Sequence, residues 1–176
     1  QVIYTAIADD SADISGGVTF SLAEGSDSAL SIDAESGAVT LNADPDAETQ
    51  AQYSFTVVAT DAAGNASNQS VNLDINNLDE VAPTITSGGV ATAIDENSGS
   101  GQVIYTATAD DSADISGGVT FSLADGSDSA LSIDAESGAV TLSTDPNFEE
   151  QEQYSFTVVA TDAAGNASNQ SVTLDI

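Results

Sequence analysis

Apolar and polar residues alternate along this chain in short runs. Tyr53, Phe55, Val57 and Ala59 take every second position of one run, and Tyr154, Phe156, Val158 and Ala160 repeat the spacing. Residues two apart share one face of a strand, so each run predicts a strand with one apolar side. Val119, Phe121 and Leu123 read the same way, as do Gln102–Ala109 and the last strand through Val172, Leu174 and Ile176. Leu131–Asp134 and Ala139–Leu142 flank Glu136-Ser137-Gly138, a hairpin signal. Pro83–Ala93 is β-rich and follows a proline, as an edge strand can. No long segment carries a 3.6-residue apolar period. Seven short strands in roughly 95 residues, separated by turns, predict a β-sandwich.

The strand pattern occurs twice. Gln1–Ile75 aligns with Gln102–Ile176 without gaps, and 66 of the 75 positions are identical. A period of 101 residues is one domain per repeat rather than one rung of a solenoid. The first copy carries its inward set at Tyr53, Phe55, Val57, Ala59, Val71, Leu73 and Ile75. The second copy has a lead-in, Ala82–Gly101, that the first does not. The expected architecture is all-β: two tandem seven-strand Greek-key sandwiches, the first without its N-terminal strand. The expected divisions are residues 1–76, a linker at 77–83, and residues 84–176.

Charge changes the picture more than composition does. The chain has 29 acidic residues and no Lys, Arg or His, a formal net charge of −29. No carboxylate can find a cationic side chain, so self-repulsion works against any compact state. Spreading, salt or bound cations must relieve it. Nucleic acid and anionic membrane surfaces are excluded as partners. No Cys or His is present, which leaves hard, oxygen-seeking ions as the metals to consider. No membrane span or signal segment is visible, and the chain starts within its pattern.

The acids cluster between strands. Asp44, Asp46 and Glu48 precede the strand at Tyr53, and the joint holds Asn77, Asp79 and Glu80. Asp110, Asp111 and Asp114 fall in a loop over 110–118, and Asp162 closes a strand. If the domains stack end to end, the bottom of the first, the joint and the top of the second converge. Calcium takes 6–8 oxygen ligands and suits such a multi-loop site better than magnesium, which keeps its waters. Asp27, Asp33, Asp128 and Asp134 read as turn residues with no ion.

These residues resemble cadherin repeats, in the form found in long calcium-dependent (RTX-type) bacterial surface adhesins. Glu96 in Asp95-Glu96-Asn97 matches the glutamate near the end of the family's first strand. Asp46-Ala47-Glu48, five residues before Tyr53, matches its Asp-Arg-Glu motif. Asp61 and Asp162 lie eight residues after Tyr53 and Tyr154, like the family's strand-end aspartate. Counting back from Pro83, Glu80 and Asp79 stand where the family linker has aspartate and asparagine, and Val81 replaces a residue that can serve through its carbonyl. Asp110-Asp111-Ser112, with Asp114 beyond, stands for the Asp-x-Asp after the second strand, and Asp9 and Asp10 are its counterparts in the first copy. Asn147-Phe148-Glu149 keeps the glutamate of the Asp-x-Glu motif and loses its first acid. The first copy has no counterpart of Glu96.

The resemblance implies calcium as the bound ion and neighbouring repeats as the contacts. It implies an exported, extracellular protein of a bacterial surface, monomeric and rod-like, with at most weak homophilic contact. The implied role is a spacer that holds a distal binding region away from the cell. A rival reading is an adhesion module gripping a glycan, a peptide or itself, but Tyr and Phe mostly fall on core-facing positions. An enzyme is disfavoured. Carboxylate pairs can hydrolyse glycosides, yet every pair here sits in a turn or in the expected ion site.

Overall fold

The computed structural model describes residues 1–12, 16–115 and 117–176, and the chain divides into two compact units, Gln1–Leu78 and Asp79–Ile176. Ser116 of the loop expected at 110–118 lies outside the described residues. Among the described residues every regular element is a strand, and no helix is long and apolar enough to cross a membrane. The protein is all-β, two β-sandwiches in tandem.

In the first unit β1 (Val2–Thr5), β4 (Ala38–Leu41) and β3 (Leu30–Ile32) form one sheet, with β4 in the middle. The facing sheet is β2 (Val18–Leu22), β5 (Gln52–Asp61) and β6 (Ala66–Asp74), with β5 in the middle. All pairings are antiparallel. Leu30, Val39, Leu41, Tyr53, Phe55 and Val57 are buried between the sheets.

The second unit repeats this with β11 (Leu131–Ile133), β12 (Ala139–Leu142) and β8 (Gln102–Thr106) against β10 (Thr120–Leu123), β13 (Gln153–Thr161) and β14 (Ala167–Asp175). Its core is tighter. Val140, Leu142, Val158, Ala160 and Leu174 are all at 0 % exposure. The expected alternation along β13 holds at every step, since Tyr154, Phe156, Val158 and Ala160 are buried. The hairpin between β11 and β12 turns on Gly138, whose φ is +70° and whose added Cβ would stand 2.4 Å from the Ala107 carbonyl oxygen. Only glycine meets both conditions.

Two expected strands are divided. Gln102–Ala109 breaks at Ala107 into β8 and the two-residue β9 (Ala109–Asp110), which belong to different sheets. Ala107 is buried, and its N–H donates to the Gly138 carbonyl at 2.9 Å. The chain steps from one sheet toward the other there. The Pro83–Ala93 strand divides likewise. Thr84–Ile85 (β7) pairs with β9, and Val90 then forms a parallel bridge with Thr173 of β14. Gly88 and Gly89 lie between the two pairings, where the backbone must change direction.

The lead-in closes the second core. Ala91 is buried, with its N–H donating to Thr173 O at 2.8 Å. Val172 and Leu174 behind it are 1 % and 0 % exposed, whereas their first-unit counterparts Val71 and Leu73 are only partly buried. Leu174→Ala should therefore cost about 2–5 kcal/mol, the range for truncating a well-enclosed core leucine. Denaturant unfolding of this variant against the unsubstituted chain checks the figure.

Candidate metal centre

At the end of the second unit where its chain enters, three carboxylates meet. Oxygen atoms of Asp79, Asp111 and Asp162 all lie within 4.8 Å of one another. Three separate pieces of chain deliver them. Asp79 opens the unit, four residues before the fully buried Pro83. Asp111 follows β9, and Asp162 follows β13, which the β10 and β14 pairings hold in place.

Asp162 is the anchor. It is buried at 6 % exposure, unusual for an acid with no cationic partner. One carboxylate oxygen accepts from the Gly165 and Asn166 N–H groups at 2.7 and 2.8 Å, and the other from Asn166 Nδ2 at 2.9 Å. Burial pushes its pKa up, but hydrogen bonds from the Asn166 side chain and the turn backbone outweigh it and hold the pKa below 3.8. Asn166 Nδ2 also donates to the Asp79 carbonyl oxygen at 2.9 Å. This one amide ties the start of the unit to its β13–β14 turn.

Asp79 has the opposite balance. Burial and then repulsion from Asp162 raise its pKa above 3.8, with further repulsion from Asp111 and Asp114. A single long hydrogen bond from the Val81 N–H, 3.4 Å, works the other way. Among the described residues, Asp111 Oδ2 is a buried oxygen with no hydrogen-bond donor. A buried carboxylate oxygen without a donor costs free energy, and three converging carboxylates add to that. The donor set is all oxygen, without nitrogen or sulfur, and fits a hard divalent ion such as calcium.

The remaining expected residues distribute as follows. Asp110 is exposed in β9, its carboxylate accepting from the Ser112 N–H at 3.1 Å. Glu96 and Glu149 sit at the other end of the second unit from Asp162. There Asp145 accepts from the Gly99 N–H and Asn97 N–H donates to the Pro146 carbonyl, both at 2.8 Å. Asn147, where the first copy has Asp46, accepts from the Glu149 N–H at 3.1 Å.

In the first unit Asp46 and exposed Glu48 lie at the end where β5 begins. Asp46 accepts from Thr49 Oγ1 at 2.8 Å and Thr49 N–H at 3.0 Å, which lower its pKa. Asn77 is exposed near that unit's exit, and Glu80 and Val81 are exposed at the start of the second. Asp9, Asp10 and Asp61 line one cleft of about 210 Å³ at the opposite end of the first unit. Asp61 is held by Asn65 as Asp162 is by Asn166, with contacts of 2.7 and 2.8 Å. Asp33 and Asp134 are capped by Ser36 and Ser137 within their own turns.

The sequence pattern singles out Asp162 and not Asn166, although Asp-x-x-x-Asn recurs at Asp61–Asn65.

Comparison with known proteins agrees with this architecture. The Cadherin domain family matches residues 2–76 and 90–176. Mouse cadherin-23 EC22-24 is 23% identical, covering 99% of this chain and 60% of that one, with a TM-score of 0.65. Drosophila N-cadherin EC1-4 is 22% identical, covering 99% and 44%, with a TM-score of 0.71. At such identities the structural likeness speaks for the fold, and the chain spans less than two thirds of either structure. The chain belongs to the cadherin domain family, whose members are adhesion modules rather than enzymes.

The two key acids should respond oppositely to pH in metal-free protein. Asp79 has a raised folded pKa, so its penalty is absent below pH 3.8 and grows as pH rises through the folded value. Asp162 has a lowered folded pKa, so its stabilisation is complete above pH 3.8 and is lost as pH falls below it. At pH 7 in chelator, Asp79→Asn should raise the melting temperature and Asp162→Asn should lower it. Thermal unfolding from pH 3 to 7 reads both.

Proposed function

We propose that this cadherin-family chain is a pair of extender repeats from a large bacterial surface adhesin of the RTX type, stiffened by calcium at the joint between its units. The observation that carries the reading is the convergence of Asp79, Asp111 and Asp162 in a chain with no side-chain cation. In this reading those three carboxylates hold one calcium ion. Asp46, Glu48, Asn77, Glu80, the Val81 carbonyl, Asp110 and Asp114 supply the rest of the junction. Asp9, Asp10, Asp61, Glu96 and Glu149 belong to the equivalent junctions with neighbouring repeats.

The physical argument is linkage. An ion that binds the folded junction and not the unfolded chain stabilises the folded form by mass action. Without it, carboxylates on separate segments repel and favour a splayed linker. With it, they become mutual cross-links, and one interdomain angle is selected. Repeats joined in this way form an extracellular rod that carries a distal binding region away from the cell. Asn166 presets the site by holding Asp162 ionised and tying down the Asp79 backbone.

Millimolar calcium should raise the melting temperature well above its value in chelator. Magnesium at matched ionic strength should give a much smaller rise. Asp79→Asn combined with Asp111→Asn should remove most of the calcium-specific shift and leave the general salt response. Small-angle scattering should show a narrower distribution of lengths with calcium. Equal, small shifts from both ions would sink the proposal and leave the joint a flexible linker.

A further inference from the structure

Asn-x-Ser occurs four times in the chain, as Asn65-Ala66-Ser67, Asn68-Gln69-Ser70 and their repeats Asn166-Ala167-Ser168 and Asn169-Gln170-Ser171. With a middle residue other than proline, this is the acceptor motif for asparagine-linked sugar. Cadherin domains are extracellular, the setting in which the motif has chemical meaning. The second unit carries two copies three residues apart, and their surroundings are opposite.

Asn166 is committed to its turn. Its Nδ2 has two hydrogens and spends both, on the Asp79 carbonyl and on an Asp162 carboxylate oxygen, each at 2.9 Å. A sugar on Nδ2 replaces one of those hydrogens and breaks one of those bonds. The hydroxyl of this motif is also out of reach. Along β14 Ser168 shares its face with buried Val172 and Leu174. Ser168 Oγ is buried, and among the described residues it has no hydrogen-bond partner.

Asn169 stands three positions further on, which turns it to the opposite face. It and Ser171 are both exposed on the outer side of the sheet. Residues two apart on a strand share a face, so the amide and the hydroxyl of this motif are presented together. Half-buried Val159 lies across from Asn169, with exposed Ser122 beyond it. Thr157 lies across from Ser171, their hydroxyls 3.4 Å apart. None of these neighbours is charged. That matters in a chain of net charge −29, because a sugar donor activated as its diphosphate is itself an anion. On this uncharged patch its approach meets less repulsion than at the acidic loops.

We propose that Asn169 is an acceptor for N-linked glycosylation, with Asn68 its equivalent in the first unit, and that folding withholds Asn166. Asn169 Nδ2 attacks the anomeric carbon of a sugar diphosphate. The N–C bond forms and the bond from that carbon to the diphosphate oxygen breaks. The diphosphate leaves with the electron pair, and one amide proton passes to a base of the transferase. The sugar then lies over Val159, beside the Ser171 and Thr157 hydroxyls. At a period of 101 residues the sugars recur once per repeat on the same face. This assignment rests on family membership and not on the calcium joint, so either can fail without the other.

The test incubates the folded whole chain with a soluble N-glycosyltransferase that reads this motif and UDP-glucose. A parallel arm supplies a membrane oligosaccharyltransferase and its lipid-diphosphate oligosaccharide. Electron-transfer fragmentation in the mass spectrometer assigns the modified residue. Transfer in either arm should favour Asn169 over Asn166 by about tenfold or more, the scale of one broken hydrogen bond, and names the donor. A synthetic peptide of residues 160–176 holds both motifs outside the fold and should lose that preference. Ser171→Ala should abolish transfer to Asn169 and leave the melting temperature of the chain unchanged. Comparable transfer to Asn166 in the folded chain, the same site ratio in chain and peptide, or no transfer to the chain in either arm overturns the proposal.

Discussion

Every carboxylate in this protein must find its counter-charge somewhere other than a Lys, Arg or His side chain. That constraint shapes the loops of both units. Where a single acid stands in a turn, backbone N–H groups and neighbouring Ser, Thr or Asn side chains do the work, as Ser36 does for Asp33, Thr49 for Asp46 and Asn65 for Asp61. Each such acid is held below its ordinary pKa by those donors. Among the described residues the donors run out where three acids meet. Asp162 takes the turn's own N–H groups and the Asn166 amide, Asp79 keeps one long contact, and Asp111 keeps a buried oxygen with none. The local imbalance separates a candidate ion site from the other acidic turns.

The strands make that imbalance possible. Alternation along β13 buries Tyr154, Phe156, Val158 and Ala160 and so fixes where the strand ends. Asp162 follows immediately and inherits the rigidity of the core. The close backbone approach of Gly138 to Ala107, which a glycine permits, lies where the chain leaves β8 for β9, and this sets Asp111 at the same end. Fold and site are thus coupled through hydrophobic packing, while the acids themselves oppose compaction.

Two nearly identical sequences in one molecule also isolate what a single segment contributes. The inward residues of β6 and β14 match at Val71 and Val172 and at Leu73 and Leu174, yet only the second pair is fully enclosed. In the second unit the lead-in through Ala91 supplies β14 with both backbone partners and apolar cover.

The sequence by itself determined the all-β class, the 101-residue repeat, the inward face of most strands and the presence of many acids with no cationic side chain to pair with them. These are local properties: period-two alternation, turn residues and composition are readable without knowing what packs on what. Tertiary structure decided which acids meet. Asp110, Asp111 and Asp114 read alike in sequence, and only the sheet change at Ala107 brings Asp111 to Asp79 and Asp162. It also decided that Gln102–Ala109 and Pro83–Ala93 divide between sheets, because a strand's continuity depends on the partners available along each edge. In sequence Asn166 is one more polar residue near Asp162, yet its amide joins two segments 87 positions apart. Such a contact lies between distant parts of the chain, and no window of sequence contains it.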